Sequence, residues 1–302
     1  MDCCMDSGRG TRRGGTRDRF PRRLIIPVLG LLALGLLAAR IAAADEIDSL
    51  PAAGLVLTQP GKYVVTQDLT YAGDGAAITL AANDVVLDMR GHRLTGPGPG
   101  TGAYGIYVPS GTGAVIENGT VSGFDYGVLL DLASSQASVS GMIVQGNHDG
   151  IAVVGSGCTI MANTAIGNDA AGIVVLEGEA NTISGNIAEA NQNGIAVINA
   201  DRNTLTVNTA AGNTAAGITV SGSIGNALTG NTTHCNDRYD LADDSACANT
   251  WSDNCFFTTD GSPCLGEAVC PVKTPSAPGM SPPSPAPGRD CSRGGRSTGS
   301  RR

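Results

Sequence analysis

From Gly105 to Asn254 the chain repeats one short pattern: a glycine, aliphatic residues at alternate positions, then a break rich in Gly, Asn and Asp. The glycine-led runs read GIYV at Gly105, GVLL at Gly127, GIAV at Gly150, GIVV at Gly172, GIAV at Gly194 and GITV at Gly217, at steps of 22, 23, 22, 22 and 23 residues. Asparagines recur with the same period in three further registers. These are Asn181, Asn203, Asn226 and Asn249; Asn163, Asn186, Asn208, Asn231 and Asn254; and Asn168, Asn191, Asn213 and Asn236. A single period held in several independent columns predicts a solenoid of stacked coils.

Within one unit, Asn193 to Asn213, Ile195 and Val197 alternate with other residues, as do Leu205 and Val207. Alternation over short runs broken by turn residues marks strands, whereas a helix would show a spacing of 3.6. One closed coil points only about five aliphatic side chains inward, too little apolar burial to offset the entropy of ordering it. Each coil therefore has to stack on its neighbours, which brings equivalent strands into parallel sheets about 4.8 Å apart. The predicted fold is all-β: a parallel β-helix of three sheets and about eight coils, right-handed by the rule for parallel crossovers. The asparagines are placed at the corners, where Asn tolerates left-handed backbone and stacked amides bond one another along the axis.

The flanks break the pattern. Residues 1–44 read as a signal peptide: Arg22 and Arg23 precede an apolar run from Leu24 to Ala39, and Ala42-Ala43-Ala44 offers a cleavage site. A membrane contact is expected only if this segment is retained, because the run is short for a span. Residues 45–75 are irregular and are assigned to an N-terminal cap, and residues 76–233 to the β-helix, with the insertion Pro97 to Gly102 lengthening one coil. Residues 234–272 form the last coil and a cysteine-rich cap. Cysteine density in an exported segment predicts disulfides, here Cys235 with Cys247 and Cys255 with Cys264; no paired CxxC spacing supports zinc. Residues 273–302, rich in Pro, Ser, Gly and Arg, read as a disordered tail.

Charge narrows the partners. Between residues 45 and 272 there are 5 basic and 23 acidic residues, a net of −18. Such a balance excludes nucleic acid and anionic membrane surfaces as natural partners.

Chemistry is sought on the outward positions of each sheet. If the aliphatics after each glycine point inward, the outward columns on that sheet are Tyr107, Leu129, Ala152, Val174, Ala196 and Thr219, then Pro109, Asp131, Val154, Leu176, Ile198 and Ser221. Asp131 alone is charged there at neutral pH, so the columns are poorly equipped for acid–base work. Leu129, Val154, Val174, Leu176 and Ile198 instead form an apolar patch fit for another protomer, a protein partner or a terminal segment. The next sheet offers a hydroxyl strip, Thr182, Ser184, Thr204, Thr206 and Thr229, which suits a polysaccharide as well as it suits an ordinary strand surface. Asp131, Asp149 and Asp169 are the candidates for any catalytic carboxylate. A second polar group, Asp84, Asp88, His92 and Arg93, lies in the first coil. His92, His148 and His234 are too dispersed to hold a metal, and no cofactor is expected.

The segment LTQPGKYVVTQDLTYAGDGAAITLAANDVVLDMRGHRLTG, Leu57 to Gly96, resembles the opening segment of bacterial exported right-handed β-helix repeat proteins. The closing run CNDRYDLADDSACANTWSDN, Cys235 to Asn254, is similar to the C-terminal signature of the same family. That class takes in the copper-associated periplasmic NosD proteins and β-helices that bind or hydrolyse carbohydrates. The resemblance implies a secreted or periplasmic protein, with carbohydrate as the ligand. The expected function is a non-catalytic binding module. The alternative is a polysaccharide lyase or glycoside hydrolase, and the third reading is an accessory factor in copper-site assembly.

Overall fold

The computed structural model describes residues 44–265 and Cys270. The signal peptide before Ala44 and the tail 273–302 lie outside the described residues. The described residues form three parallel sheets of ten, ten and eight strands, about nine turns in all. The glycine sheet runs from Leu55–Leu57 to Thr259–Gly261 and contains every glycine-led run. The threonine sheet runs from Asp45–Ile47 to Thr250–Ser252, and the third sheet from Leu69–Thr70 to Thr232–His234. Residues 45–75 contribute four strands that pair in parallel with later coils, which adds a turn to the eight expected.

Each coil lays down one strand per sheet, as Asn193–Ile198, Thr204–Thr206 and Thr209–Ala211 do. The register is direct: Ile151, Ile173, Ile195 and Ile218 stand in one file, wholly buried in a core that runs the length of the coil stack. The glycine column has a steric cause. A Cβ at Gly172 would come within 2.8 Å of the Gly194 carbonyl and 2.7 Å of the Asn191 amide. Contacts that close have no room for a side chain, so only glycine lets the next coil settle on this corner.

The asparagine columns become three buried ladders. Asn186 shows the unit: its Oδ1 accepts the Asn163 backbone N–H at 2.9 Å and the Asn163 Nδ2 at 3.1 Å. Its own Nδ2 donates to the Ile160 carbonyl at 2.9 Å and to Asn208 Oδ1 at 3.0 Å. The ladder below the glycine corner starts one coil earlier than the sequence pattern, at Asn147, whose Oδ1 accepts the Phe124 N–H. At the far end buried carboxylates terminate two ladders. Asp240 accepts from Asn236, and Asp243 from Asn249 and the Trp251 indole.

The ladder asparagines do not take the left-handed conformation expected of them. The residue before them does, for example Ala162, Ala190, Arg202 and Val207 at φ 54–57. Val207 consequently points outward, 69% exposed, and does not continue the alternation begun by Leu205.

The expected disulfide pairs are both replaced. Cys247 bonds Cys264 and Cys255 bonds Cys270, while Cys235 is itself disulfide-bonded. After Cys255 the chain adds a last strand, Thr259–Gly261, to the glycine sheet and turns through Pro263–Leu265. That turn carries Cys264 back to Cys247, so the bridges tie the capping segment to the coil beneath it.

Removing one rung tests the ladder. Asn186→Ala deprives two donors of Asn163 and the Ile160 carbonyl of a partner, so it is expected to cost about 3–5 kcal/mol in a urea titration. Thr182→Ala on the outward face is expected to cost less than about 1 kcal/mol.

Candidate functional site

The outward face of the glycine sheet divides into two parts. Its early coils carry an aromatic and acidic cluster. Tyr104 stands between two other rings, its centroid 5.6 Å from that of Tyr107 and 5.5 Å from that of Tyr126. Tyr107 comes from the outward column, whereas Tyr104 and Tyr126 occupy the position just before the column glycine and are register partners across adjacent strands. Three of the six tyrosines in the chain thus meet on two coils.

Carboxylates edge the rings. The Tyr107 hydroxyl donates to Asp131 Oδ2 at 2.6 Å, and this bond to an anion pushes the phenol up to about 12. Asp131 is aimed there by a bulge: the register with the preceding strand shifts between Leu130 and Ala133, and the extra residue bends the strand. Its other oxygen accepts the Leu132 N–H at 2.8 Å. Asp125 adjoins Tyr126 and fastens the Pro97 to Gly102 insertion by accepting the N–H groups of Gly100 and Gly102. Asp149 is the register partner of Tyr126 on the next strand. Burial holds its carboxyl above the ordinary range, opposed by the Ala171 N–H and the neighbouring His148. Burial and the nearby acids likewise raise Tyr126.

The later coils carry the apolar part. Ala152, Val174 and Ala196 succeed one another in one file, pointing outward yet 0%, 4% and 3% exposed. With Ala171 they form a cluster separate from the core, packed against Tyr126, Leu129, Leu176 and Ile198. Leu176 and Ile198 are register partners, and Val154 is half-buried on the same strand series.

The three candidate catalytic carboxylates are not brought together. Asp131 lies five residues beyond Tyr126, the partner of Asp149, which is about 16 Å along a strand. Paired carboxyls in glycoside hydrolysis stand roughly 5–9.5 Å apart. Asp169 is exposed at a corner, its N–H donating to the Asn147 carbonyl. The hydroxyl-bearing residues stand in register on adjacent strands: Thr182 pairs with Thr204, Ser184 with Thr206, and Thr206 with Thr229. The first-coil polar group separates, with Asp88 bound to Lys62 at 3.1 Å and His92 to Asp68 at 3.3 Å.

A profile of the family described as "Periplasmic copper-binding protein (NosD)" matches residues 64–259. The chain belongs to the NosD family. No curated protein sequence matches this NosD-family chain. Among solved structures it is similar to the periplasmic alginate epimerase AlgG, at 17% identity and a TM-score of 0.53 over 66% of this chain and 51% of that one. It is also similar to the enzymatically active domain of bacteriophage CBA120 tailspike protein 2, at 15% identity and 0.53 over 67% and 38%. A third likeness is to the Agl-KA catalytic domain, at 16% identity and 0.52 over 70% and 48%. The chain thus spans about half or less of the length of these structures, and they establish the fold alone.

The donors present do not match the copper in the family description. Among the described residues no three His, Cys, Asp or Glu side chains gather as a metal site. His92 is engaged by Asp68, and His234 lies against the disulfide-bonded Cys235. These residues do not fit a copper site.

The Tyr107–Asp131 bond has a spectroscopic consequence. In an absorbance titration of the tyrosines one phenol is expected to ionise at about 12. In Asp131→Asn the charge is gone, and that ionisation is expected to fall back toward the ordinary value of about 10.

Proposed function

We propose that this NosD-family chain is an exported, non-catalytic module that binds polysaccharide on the early coils of its glycine sheet. One observation carries the reading: three tyrosines, two of them in register on adjacent strands, are edged by Asp131 and lie beside the insertion that Asp125 holds down. Aromatic rings supply flat apolar surface with a polar rim, which matches the alternation of C–H faces and hydroxyls on a sugar. Carboxylates accept from sugar hydroxyls. The sheet adds direction, because its strands repeat along the axis as residues do along a glycan. The shared fold with a periplasmic alginate epimerase is consistent with a polysaccharide partner and an extracytoplasmic location.

The apolar part of the face supports a second reading, contact with a second copy of this chain. The observation that favours it is the run of apolar side chains Leu129, Val154, Leu176 and Ile198, which stay partly exposed on the outer face around the buried Val174.

Each reading has its test. Tyr104→Ala combined with Tyr126→Ala is expected to weaken glycan binding at least tenfold, about 1.4 kcal/mol, with the melting transition retained. Release of reducing ends that Asp131→Ala abolishes would replace binding with catalysis. For the second reading, Val174→Lys with Leu176→Lys is expected to delay elution on size exclusion by converting a dimer to a monomer; a wild-type chain that already elutes as a monomer sinks it.

A further inference from the structure

The charges around the tyrosines narrow the ligand, an inference that rests on the polysaccharide reading. Asp125, Asp131 and Asp149 flank the three rings, and the donors that reach them are neutral: the N–H groups of Gly100 and Gly102 on Asp125, the Tyr107 hydroxyl and Leu132 N–H on Asp131, the Ala171 N–H on Asp149. Among the described residues the bases are engaged or distant. Lys62 pairs with Asp88 and Glu117 on the threonine sheet, Arg202 pairs with Glu179 at a corner, and Arg93 lies in the third sheet. Arg90 follows Asp88, to which its N–H donates, on the far side of the coil. Arg238 precedes Tyr239, five strands above Tyr126 in the same file and roughly 24 Å away, well beyond the screening length. His148, exposed beside Asp149, is the one neighbouring group able to carry positive charge.

We infer that the glycan bound at Tyr104, Tyr107 and Tyr126 carries protonated amines, as a glucosamine polymer does, and is not a polyuronate. A cation over a tyrosine face is attracted by the ring quadrupole, and a carboxylate at the rim of that ring adds a charge-assisted hydrogen bond. A uronate chain would bring carboxylates against Asp125 and Asp131, which no base compensates, on a chain segment whose net charge is −18 over residues 45–272. The arrangement favours the one ligand class and opposes the other through the same groups.

Three hexasaccharides test this by calorimetry with the full exported chain at mildly acidic pH: glucosamine, N-acetylglucosamine and mannuronate. Glucosamine is expected to bind about tenfold tighter than its N-acetylated form, with the advantage lost in high salt, and mannuronate not to bind. Asp131→Asn is expected to lower glucosamine affinity about fivefold and leave the N-acetylated ligand unchanged, whereas Tyr104→Ala weakens both. Equal affinity for the two amino sugars, or tight binding of mannuronate, overturns the cationic ligand while the polysaccharide reading stands. Binding of none of the three, together with silence across a wider neutral glycan panel, removes that reading as well.

Discussion

An asparagine buried at a coil corner has two lone pairs and two amide hydrogens to place, and here the coils above and below take all four, as at Asn186. The bond pattern is directional. Each Oδ1 accepts from the coil before it, and in most rungs Nδ2 donates to the coil after it while also closing a carbonyl of the coil before, as Asn186 does for Ile160. In the middle file the last amide, Asn254, donates to the Leu228 carbonyl with no further rung above it among the described residues, whereas the other two files need an acceptor for the last amide's second hydrogen. The fold meets this with buried carboxylates, which only accept: Asp240 and Asp243 are 2% and 1% exposed and take amide, indole and backbone donors. Charge buried at those two places is therefore a consequence of ladder polarity, and the disulfides beside them lock the segment that supplies it.

Stacking explains how much of this was legible. A solenoid places the same demand on the same position in every turn, so the glycine kept clear for the next carbonyl and the asparagine kept for its ladder write themselves into the sequence as periods. The left-handed corner left no such trace. That position faces solvent, where Gly, Ala, Arg and even the β-branched Val207 are tolerated, so the conformation was credited to the visible asparagine next to it. Disulfide pairing was illegible for a related reason. It depends on how the capping segment doubles back after Cys255, and that segment belongs to no repeat.

The tyrosine cluster was missed because its signal is aperiodic. Tyr107 was placed on the outer face correctly, but Tyr104 and Tyr126 precede the glycine, a position filled by Asp149, Ala171 and Asn193 in later turns. Counting ionisable groups in the two expected outward columns passed over them. The useful signal was local: an insertion at Pro97 to Gly102, a 23-residue step from Gly127, and paired tyrosines, all within two turns. In a repeat array whose regular positions are committed to stacking, departures from the repeat are where function has room to act.

The same two turns differ inside as well. The file that holds asparagine from Asn147 onward holds Phe124 below it, wholly buried, and the residues beyond it, Asp125 and Tyr126, face outward. The dipeptide that builds the outer rim thus follows directly from the ring that closes the inner ladder. Phe124 donates its N–H to Asn147, which fixes the backbone carrying Asp125 and Tyr126 to the rigid amide file above. A rim held on one side by that file, and on the other by a loop bonded to Asp125, has little freedom to rearrange. Preorganisation of this kind lets a shallow, open face bind without ordering costs that would otherwise consume its modest contact energy.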